Sequence, residues 1–244
     1  MSPRVILATA RRVAAQLRGD RRTLALILVV PPALLSLLRY VFDQQPESFQ
    51  RIGAPLVGLF PLIIMFLVAS IAMLRERTTG TLERLMSMPL NRVDLLAGYG
   101  LAFGAVAALQ GALTAAVGFG LLGIDSAGPV WAVVLLAIAN AILGMALGLF
   151  LSSFAKTEFQ AVQFMPAFIL PQLLLAGLFV PRARMPQLLE RVSDVMPFTY
   201  AYEGLAKIAA GDIDARLWLD AGVVTGCVVV ALLLGATTLR RRTP

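Results

Sequence analysis

The chain has 244 residues, of which 59% are hydrophobic and 14% are charged, and its formal net charge is +7. Soluble proteins average about 45–50% apolar and about 25% charged residues, so this composition excludes a water-soluble globule. It also excludes a disordered chain, which needs low hydrophobicity. Because the chain has no histidine, the Ser-His-Asp triad, histidine-ligated catalytic zinc and histidine phosphotransfer are excluded as well.

The single cysteine and the placement of the basic residues favour a membrane protein without catalytic chemistry of its own. The single cysteine, Cys227, lies in an apolar run and can form neither an internal disulfide nor a cysteine-rich metal site. The basic residues lie beside apolar runs instead of lining a groove interleaved with aromatic residues, which favours orientation in a bilayer over nucleic-acid binding. We therefore predict an all-α integral membrane protein surrounded by membrane lipid, with no catalytic residues, metal site or nucleic-acid partner.

The first predicted element, over residues 1–22, is an amphipathic segment that lies in the cytoplasmic interface. Its helix is expected to end at Gly19. Its arginines recur every seven residues, while apolar residues follow helical spacing on another face. The alternative is a solvated basic tail. The residues of the two faces are Arg4, Arg11 and Arg18 on one, and Ile6, Ala10, Val13 and Leu17 on the other.

Six segments are long and apolar enough to cross a hydrocarbon core of about 30 Å, which takes about 20 helical residues. Pro31 and Pro32 interrupt the first segment, and the last contains a charge-free stretch over 221–239. Together they predict a single transmembrane domain over residues 1–244. The predicted spans are 23–42, 54–74, 95–122, 129–154, 159–181 and 217–239.

The distribution of charge predicts the orientation of these spans. With both termini in the cytoplasm, the inner segments carry 14 basic and 5 acidic residues, and the rest of the chain carries 7 basic and 9 acidic residues. Basic residues concentrate on the cytoplasmic side of membrane proteins. The sequence therefore predicts a multi-pass membrane protein with cytoplasmic N- and C-termini.

A short amphipathic helix is predicted in the loop over residues 75–94, after the second span. Gly80 can open this helix, and Pro89 stops it about two turns later. The loop is either a solvated connector whose arginines follow the positive-inside rule or a docking helix that inserts into a groove on a cytoplasmic partner. The apolar face of the helix carries Leu82, Leu85 and Met86.

The stretch from Arg75 to Gly98, RERTTGTLERLMSMPLNRVDLLAG, resembles the coupling-helix region of the membrane subunits of type-2 ABC exporters, especially those of drug- and antibiotic-efflux type. The resemblance implies that the short helix engages an ATP-binding subunit present in two copies, and that a second permease copy or a paralogue completes the pathway. ATP and Mg²⁺ would be held by the partner, with no cofactor in this chain. The implied coupling interface comprises Glu76, Gly80, Thr81, Leu82, Glu83, Arg84, Leu85, Met86 and Pro89.

The segment over residues 182–216, between the last two spans, is predicted to be a broken, re-entrant segment on the extracytoplasmic side. Pro181 is expected to end the fifth span, and Pro186 and Pro197 interrupt the helical pattern that follows. The stretch also resembles the family, whose pattern LxGxFxPxxxxPxxLxxxxxxxPxTYxxEGL it matches. The implied site residues are Pro181, Pro186, Pro197, Thr199, Tyr200 and Glu203.

The energy for export is expected to come from another chain. The nearest match to a phosphate-binding loop, around Lys156 and Thr157, lacks the required glycines. The spans also lack the buried charge that an ion-driven carrier uses, because such a charge costs about 2.5–3.5 kcal/mol on insertion and is kept for function. Both observations favour a permease that depends on a separate ATPase.

Uncharged polar and aromatic side chains of the spans are candidates for a substrate path. The alternative is ordinary hydrogen bonding between helices. The glycine pairs at positions 100 and 104 and at positions 144 and 148 predict close helix packing. The path candidates are Asn140, Gln160, Gln163, Phe164, Phe168 and Gln172.

The function that these predictions favour is the permease subunit of an ATP-driven exporter for a hydrophobic or amphipathic small molecule such as a drug, antibiotic or lipid. The alternatives are an exporter of polysaccharide or lipid-linked glycan, an ion-coupled secondary carrier, and a membrane structural or assembly protein. The lack of charge inside the spans disfavours the ion-coupled carrier, and the aromatic content of 8% together with the arginine-rich N-terminus disfavours the glycan exporter. The structural or assembly protein stays open.

Overall fold

The computed structural model describes residues 2–86 and 91–238, and every regular element within these two ranges is helical. This confirms the all-α fold class. Short 3₁₀ turns over Ser152–Phe154 and Arg182–Arg184 connect the longer helices. The α-helices of the described ranges are α1 Pro3–Gly19, α2 Arg21–Val41, α3 Pro46–Thr78, α4 Thr81–Met86, α5 Arg92–Gly120, α6 Val130–Leu151, α7 Glu158–Leu175, α8 Gln187–Ser193, α9 Pro197–Ala210 and α10 Ala215–Thr238.

Five helices in the described ranges are long and apolar enough to cross a membrane, namely α2, α3, α5, α6 with its 3₁₀ extension, and α10. The predicted span over 159–181 corresponds to α7, which has 18 residues and is not one of the five. It ends at Leu175, six residues before Pro181, because Gly177 adopts a φ of 101° that does not continue a helix. The count of six spans therefore stays a prediction.

The helix α3 is the longest element and lies at the centre of the bundle. Its 33 residues measure about 50 Å, more than the hydrocarbon core of about 30 Å, so its ends project from a bilayer unless it tilts strongly. It packs against α6 so closely that a Cβ on Gly144 would lie 2.0 Å from the carbonyl oxygen of Leu62. A Cβ on Gly148 would lie 2.3 Å from the carbonyl oxygen of Phe66. The close packing predicted for these two glycines is confirmed.

The other predicted glycine pair does not mark packing inside the chain. An ideal Cβ on Gly104 meets no described atom within 4 Å, and one on Gly100 meets only the side chain of Leu232, at 4.0 Å. The helix α5 instead makes a close approach to α1 two residues before Gly100, at Gly98. A Cβ there would lie 2.5 Å from the Cβ of Thr9 in α1.

The N-terminal helix α1 is docked along the beginning of α5. Ala10, Val13 and Leu17, three residues of the predicted apolar face, are buried. Asp20 separates α1 from α2 and caps α2, because its carboxylate accepts hydrogen bonds from the backbone N–H and the hydroxyl of Thr23, at 3.1 and 2.6 Å. The apolar face predicted for α1 thus packs on the bundle.

The two ends of the bundle have different contents, and we name them after the short helices that they carry. At the α4 end, α3 ends, α5 begins, and α10 finishes beside Leu96 of α5. At the α8 end, α9 begins deep in the bundle and runs outward. Near its beginning, the Ala201 carbonyl faces Asn140, which lies about 15 Å along α6 from the first residue of that helix. Near its end, the Ala209 carbonyl accepts a hydrogen bond from the backbone N–H of Ala127, in the loop before α6.

Candidate functional site

The predicted short helix of the loop is present as α4, and it begins directly after Gly80. Gly80 has a φ of 72°, a left-handed conformation that lets the chain turn between α3 and α4 at little cost. The hydroxyl of Thr79 donates to the carbonyl of Arg75, at 2.8 Å, and satisfies one of the last carbonyls of α3. Pro89 and the side chains of Glu83 and Met86 lie outside the described part of the loop.

The apolar face of α4 packs on the bundle. Leu82 is buried, in a cluster that includes Val13 and Leu17 of α1, and Leu85 packs partly buried against the same cluster. Thr79 and Arg84 are exposed on the outside of the loop. The geometry therefore makes Leu82 an anchor of the loop and leaves Thr79 and Arg84 at the surface.

Glu76 holds three helices together in what we call the Arg12 cluster, formed by Arg12, Glu76 and Tyr99. Arg12 donates to both carboxylate oxygens of Glu76, at 3.1 and 3.4 Å, and to the hydroxyl of Tyr99. The same guanidinium lies over the Tyr99 ring, 5.5 Å from its centroid. Because Glu76 belongs to α3, Arg12 to α1 and Tyr99 to α5, the cluster connects the end of α3 to both neighbours.

Two further arginines connect the end of α3 to the chain between α6 and α7. Arg75 forms a two-pronged ion pair with Glu158, with distances of 2.7 and 3.3 Å. Its hydrogen bond lowers the pKa of the Glu158 carboxyl below the ordinary value. Arg77 donates to the Ser152 carbonyl at 2.7 Å. The segment that leads into α4 is thus fastened on both sides.

The beginning of α5 is fastened to α1 as well. The buried carboxylate of Asp94 accepts a hydrogen bond from the backbone N–H of Ser2, at 2.9 Å. The side chain of Asn91 caps α5 by accepting from the N–H of Val93, at 3.0 Å. Both ends of the described loop are therefore held by polar contacts.

The structure does not bring the six predicted path residues together. Asn140 and Gln172 are buried and bond to backbone groups: Asn140 donates to the Ala201 carbonyl at 3.3 Å, and Gln172 accepts from the Phe198 N–H at 3.4 Å. Both contacts secure the beginning of α9, which fits the alternative of ordinary hydrogen bonding between helices.

The remaining path residues lie along α7. Gln160 and Gln163 are exposed on its surface, and Gln160 accepts a hydrogen bond from the backbone of Lys156, at 2.8 Å. Phe164 is half-buried, and Phe168 stacks on Phe66 of α3 with ring centroids 6.4 Å apart. No enclosed path through one chain follows from these positions.

The re-entrant site residues lie at the α8 end. As predicted, α8 begins directly after Pro186 and α9 begins at Pro197, while Pro181 lies exposed in the connection after α7. Thr199 donates to the Ser193 carbonyl at 2.8 Å, and Tyr200 donates to the Asp194 carbonyl at 2.6 Å. These bonds fold α9 back on α8.

Glu203 belongs to what we call the Arg182 cluster, formed by Arg182, Ser193, Asp194 and Glu203. Arg182 donates to Glu203 at 2.5 Å, to the hydroxyl of Ser193 at 2.8 Å, and to the carboxylate of Asp194. Burial acts to lower the pKa of Arg182, but the two carboxylates outweigh it and keep the pKa above the ordinary value. One guanidinium therefore ties the connection after α7 to α8 and α9.

The expectation that the spans carry no buried charge is wrong at Asp220. This residue lies inside α10, is 1% exposed, and accepts an ion-paired hydrogen bond from Lys207 of α9, at 2.6 Å. Its other carboxylate oxygen, Oδ1, has no hydrogen-bond partner among the described residues. The sequence did not reveal this pair because the charge-free part of the predicted span begins at residue 221, whereas α10 begins at Ala215.

An all-helical bundle with several membrane-length apolar helices and an anchored polar loop at one end is typical of a multi-pass membrane protein. The sequence model of the ABC-2 type transporter family matches residues 4–209. The chain therefore belongs to this family, which confirms the resemblance seen in its sequence to type-2 ABC permeases of drug-efflux type.

Curated relatives extend the comparison. The chain is 29% identical over 148 residues to the probable multidrug ABC transporter permease YbhR of Escherichia coli. The aligned stretch covers 59% of this chain and 39% of the relative. It is 24% identical over 183 residues to the linearmycin resistance permease protein LnrN of Bacillus subtilis, covering 75% and 47%. With the probable multidrug permease YbhS of E. coli it shares 24% identity over 206 residues, covering 84% and 54%. The chain thus spans about half the length of these relatives or less.

Proposed function

We propose that this chain is the permease of an ATP-driven exporter that moves a hydrophobic or amphipathic small molecule out across the bacterial cytoplasmic membrane. The observation that carries the proposal is the anchored loop at the α4 end. Its apolar side is packed on the bundle through Leu82, while Thr79 and Arg84 are exposed. In this proposal the α4 end is cytoplasmic and α4 docks on a separate ATP-binding subunit, which holds ATP and Mg²⁺.

The contacts around the loop support a role in transmitting force. A displacement of α4 pulls on the end of α3, which is bonded to α1 through Glu76, to α7 through Arg75 and to the end of α6 through Arg77. Closure of two ATP-binding subunits around ATP would therefore tilt several helices together. The chain supplies no catalytic residue to this reaction and acts as the transport subunit.

A second permease copy or a paralogue would complete the pathway. The surface of α7 supports this part of the proposal, because it exposes the amide side chains of Gln160 and Gln163 next to the large apolar side chain of Phe159. Amide side chains exposed on a membrane helix gain hydrogen bonds when a second helix packs on them. Two permeases facing each other across α7 would place these groups at the pathway.

The class of substrate is proposed from the relatives and from the composition of the helices. YbhR and YbhS are named as multidrug permeases, and LnrN as a linearmycin resistance permease. Ion coupling through the buried carboxylate of Asp220 is disfavoured because Lys207 neutralises it. A hydrophobic or amphipathic drug, antibiotic or lipid fits these features better than a long glycan.

The test uses inside-out vesicles that contain the permease and its ATP-binding subunit. We expect ATP-dependent accumulation of a hydrophobic dye, and we expect this accumulation to persist when a protonophore is added. We expect it to be lost in Arg84→Glu, which reverses a charge on the exposed side of α4. The matched control is Arg191→Glu, an equally exposed arginine at the α8 end. Transport by Arg84→Glu at the unaltered rate, or abolition of transport by the protonophore alone, contradicts the proposal.

A further inference from the structure

A cavity of about 700 Å³ lies between α1, α2 and α3 at the α4 end, closed on the far side by Tyr99 and Phe103 of α5. Its volume is in the range of about 300–1,000 Å³ that small-molecule sites occupy. On the side of α2 its wall includes Leu26, which is 59% exposed. The cavity therefore opens toward the surroundings of the bundle past α2.

The wall changes from polar to apolar with depth. Near the α4 end it is formed by polar residues that include Asp20, Thr23 and Thr79. Val30 lies seven residues after Thr23 along α2, which places it about 10 Å deeper in the cavity. Ile64 of α3 lies fifteen residues before Thr79 and is about 22 Å deeper. The deep part is lined by aliphatic side chains, and such cavities exclude water and accept apolar molecules.

The charges at the rim favour a positively charged group. Asp20 and Glu76 line the cavity together with Arg75. With the ion-pair partners Arg12 and Glu158 included, the rim carries three carboxylates against two guanidinium groups. Within the wall itself, an ammonium group can approach the carboxylates of Asp20 and Glu76, whereas an anionic head finds a single guanidinium group, that of Arg75.

We propose that this cavity binds an amphiphile with an ammonium group, whose hydrocarbon chain lies between α2 and α3 and whose head lies at the rim formed by Asp20 and Glu76. The ammonium group can belong to a membrane phospholipid such as phosphatidylethanolamine or to a cationic amphiphilic cargo. The assignment of the site to the cytoplasmic leaflet rests on the proposed function. Because Glu76 both lines the cavity and pairs with Arg12, the bound head adjoins the cluster that joins α1, α3 and α5.

The test is fluorescence quenching of a tryptophan placed in the cavity of the full chain. The native tryptophans, Trp131 and Trp218, are exposed at the beginnings of α6 and α10 and are replaced by phenylalanine. Phe103→Trp then provides a reporter in the cavity wall. Phe49→Trp is the matched control, since Phe49 is equally buried, at 1% exposure, and lies outside the wall. If Phe103→Trp does not fold, Ile71→Trp reports from the same wall.

Two arms distinguish the sources of the amphiphile. In nanodiscs of unbrominated lipid, terminally brominated dodecyltrimethylammonium is added as a cargo-like probe. In the second arm, the nanodisc itself contains brominated phosphatidylethanolamine. In either arm, the site is supported if the Phe103→Trp reporter is quenched several-fold more than the Phe49→Trp control. Such quenching by the added ammonium probe points to cargo, and such quenching by the brominated phosphatidylethanolamine points to lipid. Equal quenching of reporter and control in both arms overturns the proposal.

One further variant tests the position of the hydrocarbon chain, and one further probe tests the charge of the head. Ala72→Phe adds volume to the cavity wall and is expected to abolish most of the quenching at the reporter. Terminally brominated dodecyl sulfate, with an anionic head, is expected to quench several-fold less than the cationic probe at equal concentration. Unchanged quenching in Ala72→Phe overturns the location, and equal quenching by the two probes overturns the head-group assignment. Since this assay needs no ATP, its failure is distinguishable from failure of the transport test.

Discussion

The two ends of the bundle are both held by arginine- or lysine-centred ion pairs, but the pairs join different kinds of neighbours. At the α4 end, Arg12 reaches Glu76 and Tyr99 across 64 and 87 residues of sequence, and Arg75 reaches Glu158 across 83. At the α8 end, Arg182 reaches Asp194 and Glu203 across only 12 and 21 residues. The first set of pairs connects separate helices of the bundle, whereas the second folds one segment on itself.

This difference in connectivity implies a difference in role. Local pairs such as Lys207 with Asp220, 13 residues apart, stabilise the broken segment of α8 and α9 in one position. The long-range pairs of Arg12 with Glu76 and of Arg75 with Glu158 join the end of α3 to α1 and to α7. We therefore expect substitutions at the α8 end to lower stability with little effect on coupling, and substitutions at the α4 end to lower coupling more than stability.

The largest loss of stability is expected for Lys207→Met at the α8 end. It leaves the carboxylate of Asp220 buried and uncompensated, which costs about 3 kcal/mol. Thermal unfolding in detergent measures this loss, and the double variant Lys207→Met with Asp220→Leu should recover most of it. A single variant as stable as the parent would show that the pair does not hold α9 on α10.

Glu76→Ala, at the α4 end, is expected to lower stability less than Lys207→Met does. It is expected to cause the largest loss of coupling between ATP hydrolysis and transport. Arg12 loses its charged acceptor, which costs about 2 kcal/mol, and α1 loses this ion pair with α3. The measurement is stimulation of ATP hydrolysis by a transported dye in the reconstituted complex, with Lys207→Met as the comparison at the other end. Equal loss of stimulation in the two variants would remove the distinction between the ends.

The packing of α1 on α5 is tested by a pair of matched glycine substitutions. Gly98→Ala forces a Cβ to within 2.5 Å of the Cβ of Thr9 and is expected to destabilise the chain by about 1–2 kcal/mol. Gly104→Ala, on the same helix with no described atom within 4 Å, is expected to be neutral or to stabilise by up to about 1 kcal/mol. Unfolding by denaturant in mixed micelles compares them. A Gly98→Ala chain as stable as the Gly104→Ala chain would contradict the close docking of α1.

The smallest effect is expected for the exposed pair of Arg75 and Glu158. The pKa of Glu158 is lowered in the folded chain, so its contribution to stability is present above the ordinary carboxyl pKa and is lost as the pH falls through the folded value. Because both side chains are more than half exposed, the contribution is below about 1 kcal/mol. The acid side of the stability profile should therefore flatten slightly in Glu158→Gln. An unchanged profile would show that the pair adds nothing to the α4 end.

Much of the fold could be predicted from local patterns in the sequence. The apolar face of α1, the break at Gly80 and the helix starts at Pro186 and Pro197 are all determined by neighbouring residues, and each is present. The position of Leu82 was predicted on the correct apolar face. The end of α7 was not, because the left-handed conformation of Gly177 interrupts the helix before the more conspicuous Pro181.

The ion pairs could not be predicted in the same way. Arg12 stands in a row of arginines that the positive-inside rule explains, and only the docking of α1 on α5 brings it to Glu76 and Tyr99. Asp220 directly precedes a charge-free stretch, and only the packing of α9 on α10 brings Lys207 to it. Contacts across many residues depend on the packing of whole helices, which local patterns in a sequence do not reveal.

The central claim, that α4 receives the ATP-binding subunit, is tested most directly by photo-crosslinking. A photoreactive amino acid replaces Thr79, which is exposed in the loop before α4, or Arg191, which is exposed at the α8 end. We predict that the substitution at position 79 crosslinks the permease to its ATP-binding subunit in intact membranes and that the substitution at position 191 does not. A crosslink from position 191 alone, or from neither position in a complex that still transports, would contradict the claim.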